Sequence, residues 1–125
     1  MTSPRWLLDS NIGIYLLQGN AQNALRRLNT CPLGSVVTSS ICLAEMLIGL
    51  RAEEADSLDR LLTVISVLPF DDPAAHAYAT LRFRRASYDR LIAAHAWSRG
   101  LTVVTANPLD FADVPGLAVE DWMQP

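Results

Sequence analysis

Short apolar segments alternate with segments of helical periodicity along the whole chain, and this alternation constrains the fold more than any other feature. A chain of this kind folds as an α/β domain with a mostly parallel sheet that helices cover on both faces. We therefore predict a single domain over residues 1–125 with a central sheet of four or five strands. The predicted strands are Trp6–Leu8, Ser35–Thr38, Val67–Leu68, Leu101–Thr105 and a short one within 117–122.

The intervals between these strands carry apolar residues at helical spacing and residues that favour helix ends. Ser39 or Ser40 can cap the third helix, Pro73 suits the first turn of the fifth, and Gly100 suits the end of the sixth. The predicted helices cover residues 10–17, 21–28, 41–50, 53–64, 73–85 and 88–99.

Composition excludes several classes of protein. No apolar run reaches the roughly 18 residues of a membrane helix, and residues 1–6 lack the pattern of a signal peptide. Cys31 and Cys42 lie in unlike contexts, which favours reduced thiols in a cytoplasmic protein with no membrane association. The chain contains no Lys, which rules out a P-loop lysine and a Schiff-base lysine.

The net charge of −3 argues against a broadly basic nucleic-acid-binding surface. Arginine is nevertheless concentrated in one short stretch, and its guanidinium group can bind phosphate through two parallel hydrogen bonds. The stretch is therefore a candidate RNA-binding patch, with an ordinary solvated helix face as the alternative. Its members are Arg82, Arg84, Arg85 and Arg90.

Three carboxylates occupy positions that favour a functional interpretation. Asp9 directly follows the first strand, at the edge of a parallel sheet where ligands bind, although it could simply cap a helix. Glu45 lies in a helix that is apolar almost all round and should be largely buried, where an unpaired charge is costly. The alternative places Glu45 on a narrow solvent-facing stripe. Asp89 lies in the first turn of a tightly packed helix, a position that also favours Asp for its charge alone.

Two further oxygen donors, Asn107 and Asp110, follow the last strong strand, although Asp110 could instead cap a short segment at Phe111. Carboxylates without Cys or His at ligand spacing suit Mg²⁺ or Mn²⁺. Such an ion supports phosphodiester hydrolysis without a lysine. We interpret His95 as a packed structural residue, and neither His76 nor His95 as catalytic.

Several segments are similar to PIN-domain ribonucleases, and in particular to the VapC toxins of bacterial toxin–antitoxin pairs. The ordered set spans nearly the whole chain and is far more specific than its first motif alone. The segments are LLDSN at 7–11, SSICLAEM at 39–46, YDRLIAAHA at 88–96, GLTVVTAN at 100–107, DF at 110–111, VPGL at 114–117 and EDW at 120–122.

This resemblance implies an endoribonuclease that depends on Mg²⁺ or Mn²⁺ and blocks translation, commonly by cutting tRNA or another structured RNA. It also implies a homodimer that a cognate VapB-type antitoxin holds inactive. Asp9, Glu45 and Asp89 match the catalytic and metal-binding acids of the family. At the fourth acidic position of some relatives this chain has Asn107, and Asp110 could supply the carboxylate instead.

The chain departs from the family before Asp89, where only residues 83–88 follow the preceding helix and relatives have a longer segment. The difference is either a true deletion, which could displace Asp89, or a flexible loop whose absence leaves the site intact. The first alternative leaves open a catalytically weakened interaction module that binds an antitoxin-like partner without cutting RNA. A phosphatase or receiver domain fits less well, because the former would need an acid at Asn11 and the latter a lysine.

The predicted helices also hold more apolar side chains than one core-facing stripe requires. The excess is concentrated in residues 12–17 and 46–50. It indicates either a surface for a protein partner or a well-filled core.

Overall fold

The computed structural model describes residues 2–83 and 87–125. Five strands form one sheet in the order β3-β2-β1-β4-β5, and every neighbouring pair is parallel. The predicted α/β class and the parallel sheet are therefore confirmed. The strands are β1 (Trp6–Leu8), β2 (Val36–Ser39), β3 (Ser66–Leu68), β4 (Thr102–Val104) and β5 (Val119–Glu120).

Six α-helices connect the strands, and two short 3₁₀ helices lie at Ala52–Glu54 and Pro108–Phe111. Local end signals explain the sixth helix, because the Ser87 side chain accepts a hydrogen bond from the Arg90 N–H and Gly100 adopts a left-handed conformation at φ 66°. The helices are α1 (Ser10–Leu17), α2 (Gln22–Thr30), α3 (Ser40–Ile48), α4 (Ala55–Val64), α5 (Asp72–Leu81) and α6 (Tyr88–Arg99).

The core lies on both faces of the sheet, as predicted. Alternate residues of each strand point to opposite faces, so neighbours along β1 enter different apolar clusters. Leu7 packs in one cluster with residues of α3 and α6, including Cys42 and Ile92. Leu8 packs in the other with residues of α1, α2 and α4, including Ile12 and Leu61.

Two helix predictions are wrong in part. Helix α5 was expected to reach Arg85, but it ends at Leu81 because Arg82 adopts a left-handed conformation with φ 52°, which cannot continue a right-handed helix. Helix α3 was expected to be largely buried. Only Cys42 and Met46 of that helix are buried, whereas Ile48 is 82% exposed.

The two cysteines differ in their exposure. Cys31 is partly exposed, Cys42 is buried, and both are free thiols. Within residues 2–83 and 87–125, none of the helices combines the length and the apolar character that crossing a membrane requires.

Helices α1 and α3 approach each other closely at Gly13. A Cβ atom added there would lie 2.4 Å from the sulfur of the buried Met46. We expect Gly13→Ala to lower the free energy of unfolding by about 1–3 kcal/mol, because overpacking outweighs the gain in helix propensity. Urea denaturation measures this. Gly49→Ala is the control, since nothing lies within 4 Å of a Cβ at Gly49. Equal losses in both variants would contradict the prediction.

Candidate active site

Buried polar side chains collect at the carboxyl edge of the sheet, where β1, β2 and β4 end. Buried polar groups are costly unless they are paired, so such a collection at one edge indicates a built site. Its members are Asp9 and Ser10 after β1, Thr38 and Ser39 at the end of β2, and Thr105 after β4.

Asp9 lies at the centre of this edge and is only 3% exposed. One carboxylate oxygen accepts the Ser10 N–H at 2.8 Å, and the other accepts the Thr105 hydroxyl at 2.9 Å. The first contact caps α1, so the capping alternative is correct as well. The pKa of Asp9 is raised from 3.8 to about 6, chiefly by burial and to a smaller extent by the charges of Asp89 and Glu45. The two hydrogen bonds oppose this rise.

Glu45 faces the same edge from α3 and is partly exposed. The Ser10 hydroxyl donates a hydrogen bond to its Oε1 at 3.0 Å, which ties α3 to the residue that follows Asp9. Partial burial raises the pKa of Glu45, the Ser10 hydrogen bond lowers it, and the charge of Asp89 raises it. The side chain is thus neither deeply buried nor fully solvated. Together with Asp9 and Asp89 it forms a group of acids that we call the acidic cluster.

Asp89 lies in the first turn of α6. This helix packs closely, as the sequence indicated, because Ala93, Ala94 and Ala96 are fully buried. Burial raises the pKa of Asp89, the nearby charge of Asp110 raises it further, and Arg90 lowers it. Asp110 therefore lies near enough to Asp89 for its charge to act on it. It does not cap the segment at Phe111, because it lies inside that 3₁₀ helix, which has Asn107 at its N-cap position.

Asn107 is exposed, and its backbone N–H donates to the Thr105 hydroxyl at 3.1 Å. Its side chain makes no capping hydrogen bond to the 3₁₀ helix. Asp110, the other predicted candidate for a fourth oxygen donor, raises the pKa of Asp89 through its charge.

The predicted arginine patch is only partly visible. Arg82 is exposed. Arg90 forms an ion pair with Asp113, and its guanidinium carbon lies 4.8 Å from the centre of the Phe83 ring. Arg84 and Arg85 lie outside the described residues. RNA binding by the patch stays a prediction.

The two histidines have different surroundings. His76 is exposed on α5, whereas His95 is fully buried on α6, as expected of a packed residue. Its Nδ1 lies 2.8 Å from the Ser39 hydroxyl.

Sequence analysis missed the polar residues that hold the acids in place. The Asn11 amide donates to the Thr105 hydroxyl at 3.3 Å and its carbonyl accepts the Ala106 N–H at 3.3 Å, which links the start of α1 to the end of β4. Parallel pairing of Leu8 with Val104 brings Asp9 and Thr105 together. The available signal was that both lie at the carboxyl end of a predicted strand, Asp9 directly after Trp6–Leu8 and Thr105 as the last residue of Leu101–Thr105.

The donors of the acidic cluster fit a hard divalent cation. They are carboxylate oxygens, and the charges of Asp89 and Glu45 raise the pKa of Asp9, so a cation between them would relieve repulsion. Within the described ranges, no three His, Cys, Asp or Glu side chains are close enough to surround one ion directly. Mg²⁺ nevertheless keeps several waters and is usually held by only one or two carboxylates.

Comparisons with known proteins agree with this architecture. The family model of the PIN domain matches residues 6–117. The tRNA(fMet)-specific endonuclease VapC of Salmonella typhimurium is 33% identical, with 94% of this chain and 98% of the relative covered. The protein of the same name from Shigella flexneri is 34% identical at the same coverage.

A solved structure described as DNA-bound VapBC from Salmonella typhimurium superposes with a TM-score of 0.85 at 29% identity, covering 95% of this chain and 98% of the other. The sequence alignment with the Salmonella endonuclease is 132 positions long, more than the 125 residues of this chain. That relative therefore carries residues that this chain lacks, which agrees with a shortened segment; its position before Asp89 stays a prediction. The chain belongs to the PIN-domain family and, within it, to the VapC group.

Proposed function

We propose that this chain is a toxin endoribonuclease that hydrolyses RNA phosphodiester bonds with Mg²⁺ or Mn²⁺ held by Asp9, Glu45 and Asp89, directly or through bound water. The observation that carries the proposal is electrostatic. The charges of Glu45 and Asp89 each raise the pKa of the buried Asp9, and Asp89 also raises that of Glu45. Such an arrangement lowers stability unless a cation occupies it, so it is typical of a functional site.

Each acid has a separate role in this proposal. Ser10 N–H and Thr105 Oγ1 each use one acceptor position of the Asp9 carboxylate, which fixes its orientation and leaves further lone pairs for a cation. Ser10 Oγ orients Glu45 in the same way. Asp110 is the preferred fourth donor, because its charge acts on Asp89, and Asn107 is the second choice. When bound, the cation supplies an activated water and neutralises charge on the phosphate.

The names of two relatives support the proposed substrate class. Two of them are named tRNA(fMet)-specific endonucleases, and we propose tRNA or another structured RNA for this chain. Arg82 is exposed near the end of α5, and Arg90 directly follows Asp89, so both are candidates to bind the RNA backbone.

Incubation of tRNA with the purified protein tests the activity. We expect cleavage with Mg²⁺ or Mn²⁺, none with a chelator, and a large loss in Asp89→Asn. Asp59→Asn, which removes an exposed acid from α4, is the matched control and should cut like the parent. An inactive parent that still binds its antitoxin would favour the alternative, a PIN-fold interaction module.

We also propose that a VapB-type antitoxin inhibits the protein by covering an apolar groove between α1, α2 and α4. The groove has a volume of about 240 Å³. A concave apolar surface of this kind suits an amphipathic helix. The apolar residues that line it are Leu16, Leu17, Leu25, Leu28, Leu61 and Val64.

A second apolar surface lies at the end of α3. It is formed by Leu47, which is 51% exposed, and Ile48, which is 82% exposed. We assign it to the proposed homodimer. Leu25→Asp should therefore weaken capture of the co-expressed antitoxin and leave the dimer intact, whereas Leu47→Asp should do the reverse. Pull-down and light scattering measure the two effects. Identical behaviour of the two variants would contradict the assignment.

A further inference from the structure

His95 makes a specific polar contact inside the core. Both His95 and Ser39 are fully buried, and His95 Nδ1 lies 2.8 Å from Ser39 Oγ. The imidazole also meets the Phe70 ring edge-on, with the ring centres 5.5 Å apart. One hydrogen bond and one aromatic contact therefore fix the orientation of the ring.

Ser39 connects this contact to the start of α3. Its Oγ accepts the Ile41 N–H at 3.1 Å and so caps the helix. The hydroxyl hydrogen of Ser39 remains available to the imidazole. The same oxygen thus joins the first turn of α3 to the middle of α6.

These two helices carry Glu45 and Asp89. Each acid lies six residues from its end of the contact, which is about 9 Å along a helix. A tilt of about 10° between the helices would move either acid by about 1.5 Å over that length, and metal–ligand distances tolerate only about 0.2 Å. The orientation of the helices at the Ser39–His95 contact therefore matters at the acidic cluster.

The second nitrogen of the ring, Nε2, is buried and has no hydrogen-bond partner among the described residues. An unsatisfied buried polar group is destabilising, and an apolar side chain would not carry this penalty at the position of Nε2. Fold stability therefore does not explain why a histidine occupies this position. The hydrogen bond between its Nδ1 and Ser39, which has a defined direction, is the remaining explanation.

We propose that His95 is a positioning residue, which through Ser39 sets the relative orientation of α3 and α6 and thereby the separation of Glu45 and Asp89. The inference rests on the proposed metal-dependent function. It predicts that the His95 contact controls cation affinity independently of fold stability.

Two substitutions separate these effects. His95→Phe removes both nitrogens, places a larger ring in the core and leaves the Ser39 hydroxyl unpaired, so the variant should lose less stability than the cavity-forming His95→Asn yet bind Mn²⁺ about tenfold more weakly than the parent. His95→Asn leaves a cavity but keeps a polar group near the position of Nδ1. It should be less stable than the parent and bind Mn²⁺ more tightly than His95→Phe. Thermal unfolding without metal and titration of Mn²⁺ by electron paramagnetic resonance measure the two quantities.

Ser39→Ala offers an independent route to the same contact. It should weaken Mn²⁺ binding at least as much as His95→Phe does, because it also removes the cap bond to Ile41. The double variant should bind Mn²⁺ no more weakly than Ser39→Ala, because the contact with His95 is already absent there. Affinities that follow stability across the series, or a His95→Phe protein that binds Mn²⁺ like the parent, would overturn the inference alone. A parent that binds no Mn²⁺ would overturn the proposed metal site and this inference with it.

Discussion

Replacement of Asp9 with Asn is expected to reduce RNA cleavage by about a thousandfold, which corresponds to about 4 kcal/mol of lost transition-state stabilisation. Asn has nearly the same shape and can still accept one of the two hydrogen bonds, so the fold should survive. What disappears is the negative charge at the most buried position of the acidic cluster. Single-turnover cleavage of tRNA at saturating Mn²⁺ measures the change.

Circular dichroism of Asp9→Asn should match the parent, and Asp59→Asn should retain parental activity as the control for loss of one acid. Asp9→Asn protein that cleaves within a factor of ten of the parent would remove Asp9 from the centre of the mechanism. The accompanying loss in Asp89→Asn would then have to come from a different site.

The second large effect concerns stability and pH. Because burial raises the pKa of Asp9 from 3.8 to about 6, the folded protein holds a proton there that the unfolded chain releases. The stabilisation is complete below about pH 4 and is lost as the pH rises through about 6. A difference of about two pKa units corresponds to about 3 kcal/mol. Metal-free protein at neutral pH should therefore be less stable than at pH 4, as far as this group is concerned.

Asp9→Asn carries no such charge and serves as the reference. The free energy of unfolding of the parent, minus that of Asp9→Asn, should fall by about 3 kcal/mol between pH 4 and pH 7 in the presence of a chelator. Adding Mn²⁺ at pH 7 should stabilise the parent far more than the variant, since the cation binds the ionised carboxylate. A difference that is independent of pH would contradict the raised pKa.

Much of the fold could be predicted because its signals are local. Helix α6 was predicted with its observed bounds, since Ser87 and Gly100 mark its ends. The end of α5 was missed because Arg82 adopts the left-handed conformation. Glycine or asparagine usually occupies such a position at a helix end, so an arginine gives no signal in the sequence. The exposure of α3 was missed for another reason. Its apolar composition does not reveal that Leu47 and Ile48 are 51% and 82% exposed.

The acids of the candidate site could be predicted one by one, but their supports could not. Asp9 stands out because it directly follows an apolar strand. The contact between Asp9 and Thr105 joins residues 96 positions apart and depends on β1 lying beside β4, and the sequence does not specify the order of strands. The Ser10–Glu45 contact likewise depends on α1 packing against α3.

The position of β1 in the middle of the sheet has a consequence for folding during translation. Its segment is translated before both of its neighbours in the sheet, and one of them, β4, follows β2 and β3 along the chain. A nascent chain can pair β1 with β2 early, but the hydroxyl that holds Asp9 arrives only with Thr105. Domains fold as units during synthesis, so the surroundings of Asp9 are completed only after β4 and Thr105 have been translated.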